Sequence, residues 1–430
     1  MSFATCLEFF APCPRGLEGA LAVELGELSA FAADPTFAVQ APAAGGVPFS
    51  GAWAAAIAAN LHSRIASRIL LKIAARPYRD EHDIYALARE QPWEQWFDAS
   101  RTLRVDVTAI KSPLRSLEFT TLRIKDAICD RLREQTGARP SIDTAEPDVR
   151  VQAFVTATNC TLYLDTSGEP LFKRGWRLDK GAAPLRENLA AGILRLTGWT
   201  PGTPLFDPMC GSGTFIAEAA QIALGIAPGV ERRFGFEKLK HYDVGAWQRL
   251  KAQALDAKRE AGARAAPGDA LSIYGSDVSG DMLAKAAANL QRAGAPMVPL
   301  KQLDARDIVA PCDTPGVLVA NPPYGERITM RGRSARTDDG DGTRFQRARP
   351  DDADSAFFRS FGDVLKQRFP GWHAFVLSAD RTLPGQMRLR ESTKTPLYNG
   401  ALECRLFRFD LVAGAMRQRS ATRAQTDSSD

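Results

Sequence analysis

The chain has 430 residues, 45 % hydrophobic and 24 % charged, which is ordinary for a globular protein and, at about 150 residues per domain, suggests roughly three domains. A net charge of +5 is mildly basic, so it admits a nucleic-acid partner without requiring one. Seven scattered cysteines (Cys6, Cys13, Cys129, Cys160, Cys210, Cys312, Cys404), four histidines and no C-x-x-C argue against a disulfide scaffold or a zinc site; no apolar run reaches the ~18 residues of a membrane span and no basic leader opens the chain, so a cytoplasmic protein with neither metal nor membrane partner is expected.

In chain order, residues 1–50 hold short apolar segments and a turn-rich stretch at 40–48. Residues 51–75 are Ala-rich with Leu61, Ile65, Ile69 and Leu70, and read as helix. Arg64, Arg68, Lys72, Arg76 and Arg79 follow near-helical spacing there. Leu103, Val105, Val107 and Ala109 alternate with polar residues as in a half-buried strand. An amphipathic helix over 119–135 stops at Gly137, and strands follow at 149–155 and 161–165. This is a small α+β module. Its basic residues Lys111, Arg115, Arg123 and Lys125, with Lys173, Arg174 and Arg177 further on, have two readings: a solvated surface or a phosphate-contacting one.

The second half opens with a helix from Pro184 through Leu196, closed by Gly198. Leu205-Phe206 is strand-like and leads into Asp207-Pro208-Met209-Cys210-Gly211-Ser212-Gly213-Thr214, after which 215–220 is helix-like. Strand, glycine turn and helix form a nucleotide-binding βα unit, whose glycines allow positive φ and close backbone approach. The spacing is neither G-x-G-x-x-G nor a P-loop, and the acidic opening residue suits a cationic ammonium better than phosphates. The strand at 271–276 ends in Asp277, placed either to bind ribose hydroxyls or to cap the helix at 279–293. The strand at 298–303 ends in Asp304, an acceptor for an adenine amine or a plain turn residue.

The apolar run Gly316-Val317-Leu318-Val319-Ala320 then ends in Asn321-Pro322-Pro323-Tyr324. Asn and the proline carbonyls are acceptors, and Tyr is a stacking face, which together suit a planar base bearing an exocyclic NH₂. The Arg-rich stretch 331–350 is either a loop that closes over a flipped nucleotide or a featureless insertion. A helix near 355–368 and strands at 374–378, 395–398 and 402–411 complete a mostly parallel, doubly wound sheet with an antiparallel edge, and 413–430 reads as a disordered tail.

Asp207 to Thr214 with Asn321 to Tyr324 resembles a class I S-adenosylmethionine-dependent methyltransferase of the amino-methylating type. Further motifs narrow the resemblance: Cys13-Pro14-Arg15-Gly16-Leu17-Glu18, Arg174-Gly175-Trp176-Arg177, Ala183-Pro184-Leu185-Arg186-Glu187-Asn188-Leu189-Ala190, Asn321-Pro322-Pro323-Tyr324-Gly325-Glu326-Arg327 and Tyr398-Asn399-Gly400-Ala401-Leu402-Glu403-Cys404-Arg405-Leu406. Together they are similar to bacterial THUMP-domain RNA guanine-N2 methyltransferases, whose best-known members modify 23S rRNA. The resemblance spans roughly residues 1–410. It implies an α/β fold: a C-terminal doubly wound Rossmann-like sheet behind an N-terminal α+β RNA-binding region. The implied divisions are a ferredoxin-like part at 1–60, a THUMP module at 61–167, a linker at 168–183, the methyltransferase domain at 184–412 and the tail.

The same resemblance implies S-adenosylmethionine held by Arg186, Glu187, Asn188, Asp207, Pro208, Gly211, Gly213, Thr214, Asp277 and Asp304. It likewise implies a target base held on Asn321, Pro322, Pro323 and Tyr324, and 23S rRNA or an assembly intermediate as the RNA. Many relatives fuse a second methyltransferase domain behind; with an end at residue 430, that second activity is expected to be absent. Other readings are a tRNA guanine-N2 enzyme, an adenine-N6 methyltransferase sharing the tetrapeptide, and a non-catalytic RNA-binding assembly factor.

Overall fold

The computed structural model describes residues 6–178, 185–264, 271–322 and 350–412. Contacts divide the chain into two compact units. The first contains Met1–Arg177, Arg186–Gly192 and Leu224–Arg264; the second contains Leu178–Leu185, Ile193–Ala223 and Ala265–Asp430. No helix among the described residues is long and apolar enough to cross a membrane. Pro184, the tail at 413–430 and the stretch 331–350, save its last residue, lie outside the described residues.

The first unit runs β1 (Leu7–Pro12), α1 (Glu18–Ala32), β2 (Ala38–Val39), β3 (Gly46–Gly51), α2 (Trp53–His62), β4 (Leu70–Pro77), α3 (Glu81–Glu90), β5 (Leu103–Ala109), α4 (Leu117–Thr136), β6 (Val149–Val155) and β7 (Asn159–Asp165). All seven strands join one sheet in the order β2-β3-β1-β4-β7-β6-β5. The period-2 pattern places Val149, Val151, Ala153 and Val155 of β6 inside, where Ile124, Ala127, Ile128 and Leu132 of α4 are also buried. Helix α4 is bounded as its sequence suggests: the Ser116 side chain accepts the Phe119 N–H at 3.1 Å, and Gly137 closes it at φ +75°.

The helix expected over 51–75 is corrected. Helix α2 stops at His62, and Leu70–Pro77 is strand β4, paired to β1 and β7. The reason is a buried carboxylate on α1. Glu24 takes the Ser63 hydroxyl at 2.6 Å and the Arg64 and Ile65 amides at 2.9 and 3.3 Å, which draws those amides out of a helical ladder. The near-helical row of cations accordingly does not form one helix face. Lys72 pairs with Glu8, Arg76 with Glu90, Arg79 with Asp83 and Arg68 with Asp165.

Helix α5 (Glu187–Leu196) begins in the first unit and ends in the second. There follow β8 (Leu205–Asp207), α6 (Thr214–Ala223), α7 (Val244–Arg264, of the first unit), β9 (Ile273–Asp277), α8 (Gly280–Arg292), β10 (Leu300–Gln302), β11 (Val317–Ala320), α9 (Pro350–Arg368), β12 (His373–Ser378), α10 (Leu383–Gln386), β13 (Thr393–Asn399) and β14 (Leu402–Asp410). The second sheet has the order β10-β9-β8-β11-β12-β14-β13. Strands β8 to β12 are parallel, and β14 alone runs against its neighbours β12 and β13. The doubly wound sheet is therefore as expected, with one refinement: the reversed strand lies second from the edge. Phe206, Leu318, Phe361, Leu365, Phe369, Trp372, Phe407 and Phe409 fill the core under α9. Strand order reverses between β8 and β11, and in open α/β sheets the crevice at such a point, outside the carboxyl strand ends, is where ligands bind.

Candidate active site

Four strands deliver polar side chains to the carboxyl edge of the second sheet. Asp207 ends β8 and is buried. Its carboxylate accepts the Met209 N–H at 3.2 Å and has no cation beside it among the described residues. Burial pushes this carboxyl well above the usual range, and the charge of Asp277 pushes it the same way. A buried, uncompensated acid of this kind has the character of a binding site for a cation.

The glycine turn after Asp207 needs its glycines for two different reasons. Gly211 and Gly213 have φ of +53° and +84°. A Cβ on Gly213 would lie 3.2 Å from the Ala286 Cβ of α8, so this glycine also serves close packing, whereas a Cβ on Gly211 would meet only the Met282 Cε at 3.6 Å. The turn is stitched to β9 by the Cys210 N–H on the Ser276 carbonyl at 2.9 Å and by the Ser276 hydroxyl on the Pro208 carbonyl at 3.4 Å. Thr214 opens α6 and is buried.

Asp277, at the end of β9, accepts the Gly211 N–H at 2.9 Å through Oδ2 and the Ser279 N–H at 2.9 Å through Oδ1. The helix cap is Ser279, whose side chain accepts the Met282 N–H at 3.3 Å. Asp277 is thus tied to the glycine turn, with lone pairs left over for hydroxyl donors. Asp304, just past β10, is held by Arg306: Nε reaches Oδ1 at 2.9 Å and Nη2 reaches Oδ2 at 2.6 Å, which lowers its pKa.

Asn321 follows β11. Its Oδ1 is buried and has no hydrogen-bond partner among the described residues; Pro322 beside it is buried too. An acceptor left empty inside a protein costs about 1–3 kcal/mol, so its natural complement is a donor brought by a ligand. Pro323 and Tyr324 lie outside the described residues. Sequence reasoning missed Asn289 on α8, fully buried, whose Nδ2 donates to the Ser212 carbonyl at 2.9 Å and so holds the turn in place. Nothing in the local pattern of a helix distinguishes such an Asn from a surface one.

Arg186, Glu187 and Asn188 group with the first unit, unlike Asp207, Gly211, Asp277 and Asn321. The Arg186 guanidinium lies over the Phe172 ring at 5.0 Å, buried Glu187 pairs with Arg177 at 3.3 Å, and Asn188 Nδ2 donates to the Ile65 carbonyl and the Ser67 hydroxyl at 3.3 and 3.1 Å.

The expected phosphate-contacting residues separate by burial. Arg174 and Arg177 are 3 % and 8 % exposed, so the reading of both as RNA contacts is corrected. Arg174 donates to the Leu171 and Arg64 carbonyls at 2.7 and 2.5 Å; as with Arg177 and its buried Glu187, its guanidinium holds the first unit together. Lys173 pairs with Glu169, Lys125 with Asp126 at 2.9 Å, and Arg123 lies over the Tyr85 ring at 4.3 Å. Lys111 and Arg115 are exposed, with no ion pair among the described residues.

Comparison with known proteins agrees with this geometry. Residues 174–337 match the family described as RMKL-like, methyltransferase domain; 78–165 match the THUMP domain and 8–70 the RlmL ferredoxin-like domain. The chain is 35 % identical over 410 residues to a putative RNA methyltransferase of Synechocystis, covering 95 % of this chain and 98 % of that one. It is 36 % identical over 422 residues to the ribosomal RNA large subunit methyltransferase K/L of Aeromonas hydrophila, covering 94 % of this chain but 54 % of that protein, so it spans about half the length of that relative. Among solved structures, the putative methyltransferase SMU.472, complexed with SAH, superposes with a TM-score of 0.77 at 28 % identity, over 96 % of this chain and 99 % of that one. The chain belongs to the RMKL-like methyltransferase family, with a THUMP domain ahead of the methyltransferase domain.

Proposed function

We propose that the chain transfers a methyl group from S-adenosylmethionine to the exocyclic N2 amine of a guanine in RNA, with 23S rRNA as substrate. The observation that carries this reading is the orphaned acceptor Asn321 Oδ1 at the carboxyl end of β11, next to the acidic glycine turn. The crevice suits the cofactor on chemical grounds: Asp207 is a buried carboxylate awaiting a cation, and Gly211 leaves room for close approach. Asp207 would hold the ammonium, Asp277 the ribose hydroxyls and Asp304 the adenine amine. When bound, S-adenosylmethionine supplies an electrophilic methyl on a sulfonium.

The remaining chemistry belongs to the chain. The N2 of guanine is a poor nucleophile because its lone pair is delocalised into the ring. Asn321 Oδ1 and the Pro322 carbonyl would accept the two N–H hydrogens and favour a pyramidal, more nucleophilic nitrogen, which sheds one of those protons to solvent as the N–CH₃ bond forms. Tyr324 stacks on the base, and the rate gain is mainly one of positioning. The base has to leave its stack, so a flipped or single-stranded guanine is the target. The first unit presents the RNA-facing surface: exposed Lys111 and Arg115 share one stretch of chain with exposed Ile110, Leu117, Phe119 and Leu122, a mixture of cations and apolar faces suited to phosphates and bases.

The test uses labelled S-adenosylmethionine and total RNA lacking the modification, fractionated into 23S rRNA, 16S rRNA and tRNA and digested to nucleosides. Label in N2-methylguanosine from 23S rRNA is the expected result. The same nucleoside from tRNA moves the substrate, N6-methyladenosine overturns the base assignment, and no label in any RNA overturns the activity.

A further inference from the structure

A second buried acceptor lies on the segment that follows the carboxyl end of β12. Strand β12 runs parallel to β11 with Ala320 beside Val376, so Asn321 and Pro322 leave β11 at the carboxyl edge where β12 ends in Ser378. From Ser378 a chain of polar groups leads away. The Ser378 hydroxyl accepts the Asp380 N–H at 3.0 Å. Asp380 Oδ1 accepts both the Thr382 N–H and the Thr382 hydroxyl at 2.7 Å. Asp380 Oδ2 accepts Gln386 Nε2 at 2.7 Å, and the same nitrogen reaches the Thr382 hydroxyl at 3.0 Å. These contacts fix which way the amide faces, because a flipped Gln386 would set its own oxygen against the Asp380 carboxylate. The remaining atom, Gln386 Oε1, is buried and without a partner among the described residues.

Helix α10 holds this residue rigidly. Leu383 and Met387 on either side are fully buried, and a Cβ on Gly362 of α9 would lie 2.1 Å from the Met387 carbonyl, so the two segments touch backbone to backbone. Arg381 adds an ion pair to Glu403 of β14 at 2.9 Å. The third buried orphan amide oxygen of this unit, on Gln221, lies near the end of α6, which returns toward the opposite edge of the sheet.

We propose that Gln386, oriented by Asp380, is a specificity-determining residue that accepts the ring N1–H of the target base. The inference rests on the guanine-N2 reading and deepens it. Asn321 and Pro322 take an exocyclic amine, which guanine and adenine both carry. What separates the two bases is the neighbouring ring nitrogen, a donor in guanine and an acceptor in adenine. An acceptor at Gln386 completes a hydrogen bond with the first and faces a lone pair in the second.

The test compares guanosine with 2-aminopurine at the methylated position of an RNA fragment, since 2-aminopurine keeps the N2 amine but has no N1–H. Sites built around a substrate N–H discriminate against analogues lacking it by up to roughly 10⁴-fold, so the wild type favours guanosine by roughly 10²-fold or more in kcat/KM. Gln386→Leu lowers kcat/KM for guanosine by a similar factor and leaves 2-aminopurine within about twofold, with S-adenosylmethionine affinity unchanged, while the lost hydrogen bond to Asp380 lowers the melting temperature, a cost that falls on both substrates alike. Should that variant fold poorly, Gln386→Asn, which retracts the acceptor by one methylene, reduces the same preference. Equal loss on both bases, or an undiminished preference in a folded variant, overturns the inference alone. Absence of wild-type label on N2 of guanosine overturns the reading beneath it, and this inference with it.

Discussion

Asp207 is a carboxylate placed where folding alone would not place one. It is 2 % exposed and has no cation beside it among the described residues, so burial holds it toward the protonated form. Asp207→Asn keeps the shape and removes the cost of burying an ionisable carboxyl. The expected outcome is a gain on the order of 1 kcal/mol in the ligand-free protein, seen as a melting temperature a few degrees higher. The upward shift that S-adenosylmethionine gives the wild type should at the same time be lost. A variant that melts lower without ligand would mean that the carboxylate supports the fold instead. Asn321→Ala tests the other side of the crevice: turnover falls by roughly 10²–10³-fold, as when one preorganised polar group is removed from a reacting centre. Affinity for S-adenosylmethionine by titration calorimetry stays within twofold, and loss of that affinity would move Asn321 to the cofactor. Asp207, Asp277 and Asn321 were legible in the sequence because each lies at the end of a strand-like segment, and strand ends in a parallel sheet are where side chains leave the core. Arg174 and Arg177 were not legible, because a buried arginine bonded to carbonyls or to Glu187 looks in sequence the same as a surface one. Gln386 was missed because its environment is set by Asp380 and by α9, which no local pattern reveals.

At the scale of elements, the glycine turn separates two costs that a sequence motif merges. Gly211 and Gly213 both have positive φ, but only Gly213 packs its backbone against Ala286 of α8. Gly211→Ala therefore carries the left-handed conformation alone, about 1–2 kcal/mol. Gly213→Ala adds crowding at 3.2 Å to that strain and is the more destabilised of the two by urea denaturation. Equal losses in the two variants would show that the α8 contact yields without cost. The central parallel strands β11 and β12 were readable because burial on both faces makes them almost continuously apolar, as with Val317–Ala320. Strand β4 was not: Leu70-Leu71-Lys72-Ile73 follows the Ala-rich α2 closely and continues its spacing. Its state is decided by partners distant in sequence, Phe9 and Phe10 on one side and Leu164 and Asp165 on the other. The match to the ferredoxin-like domain ends at residue 70 and the THUMP match begins at 78, so β4 is the strand that joins two sequence modules into one sheet.

For the whole molecule, the net charge of +5 overstates how much positive surface is available. Cations of the first unit are largely neutralised within it, by the pairs Lys72–Glu8, Arg76–Glu90, Arg79–Asp83, Arg131–Glu94 and Lys238–Asp148 among others. A paired cation adds little to the field that draws RNA in, so binding has to depend on the few that are exposed and unpaired. Among the described residues, Lys111 and Arg115, on the connection from β5 to α4, are such cations. If both contact phosphates, Lys111→Ala with Arg115→Ala reduces the slope of log affinity against log salt by about 1.4, from about 0.7 per phosphate contact on a single strand. The loss appears in KM for long RNA and is small for a short fragment confined to the active site, while S-adenosylmethionine affinity is untouched. Arg174→Ala is the control: it removes one cation from a buried position, so it lowers the melting temperature and leaves the salt slope alone. A salt slope that responded to Arg174 and not to Lys111 and Arg115 would place the RNA-contacting surface elsewhere on the first unit.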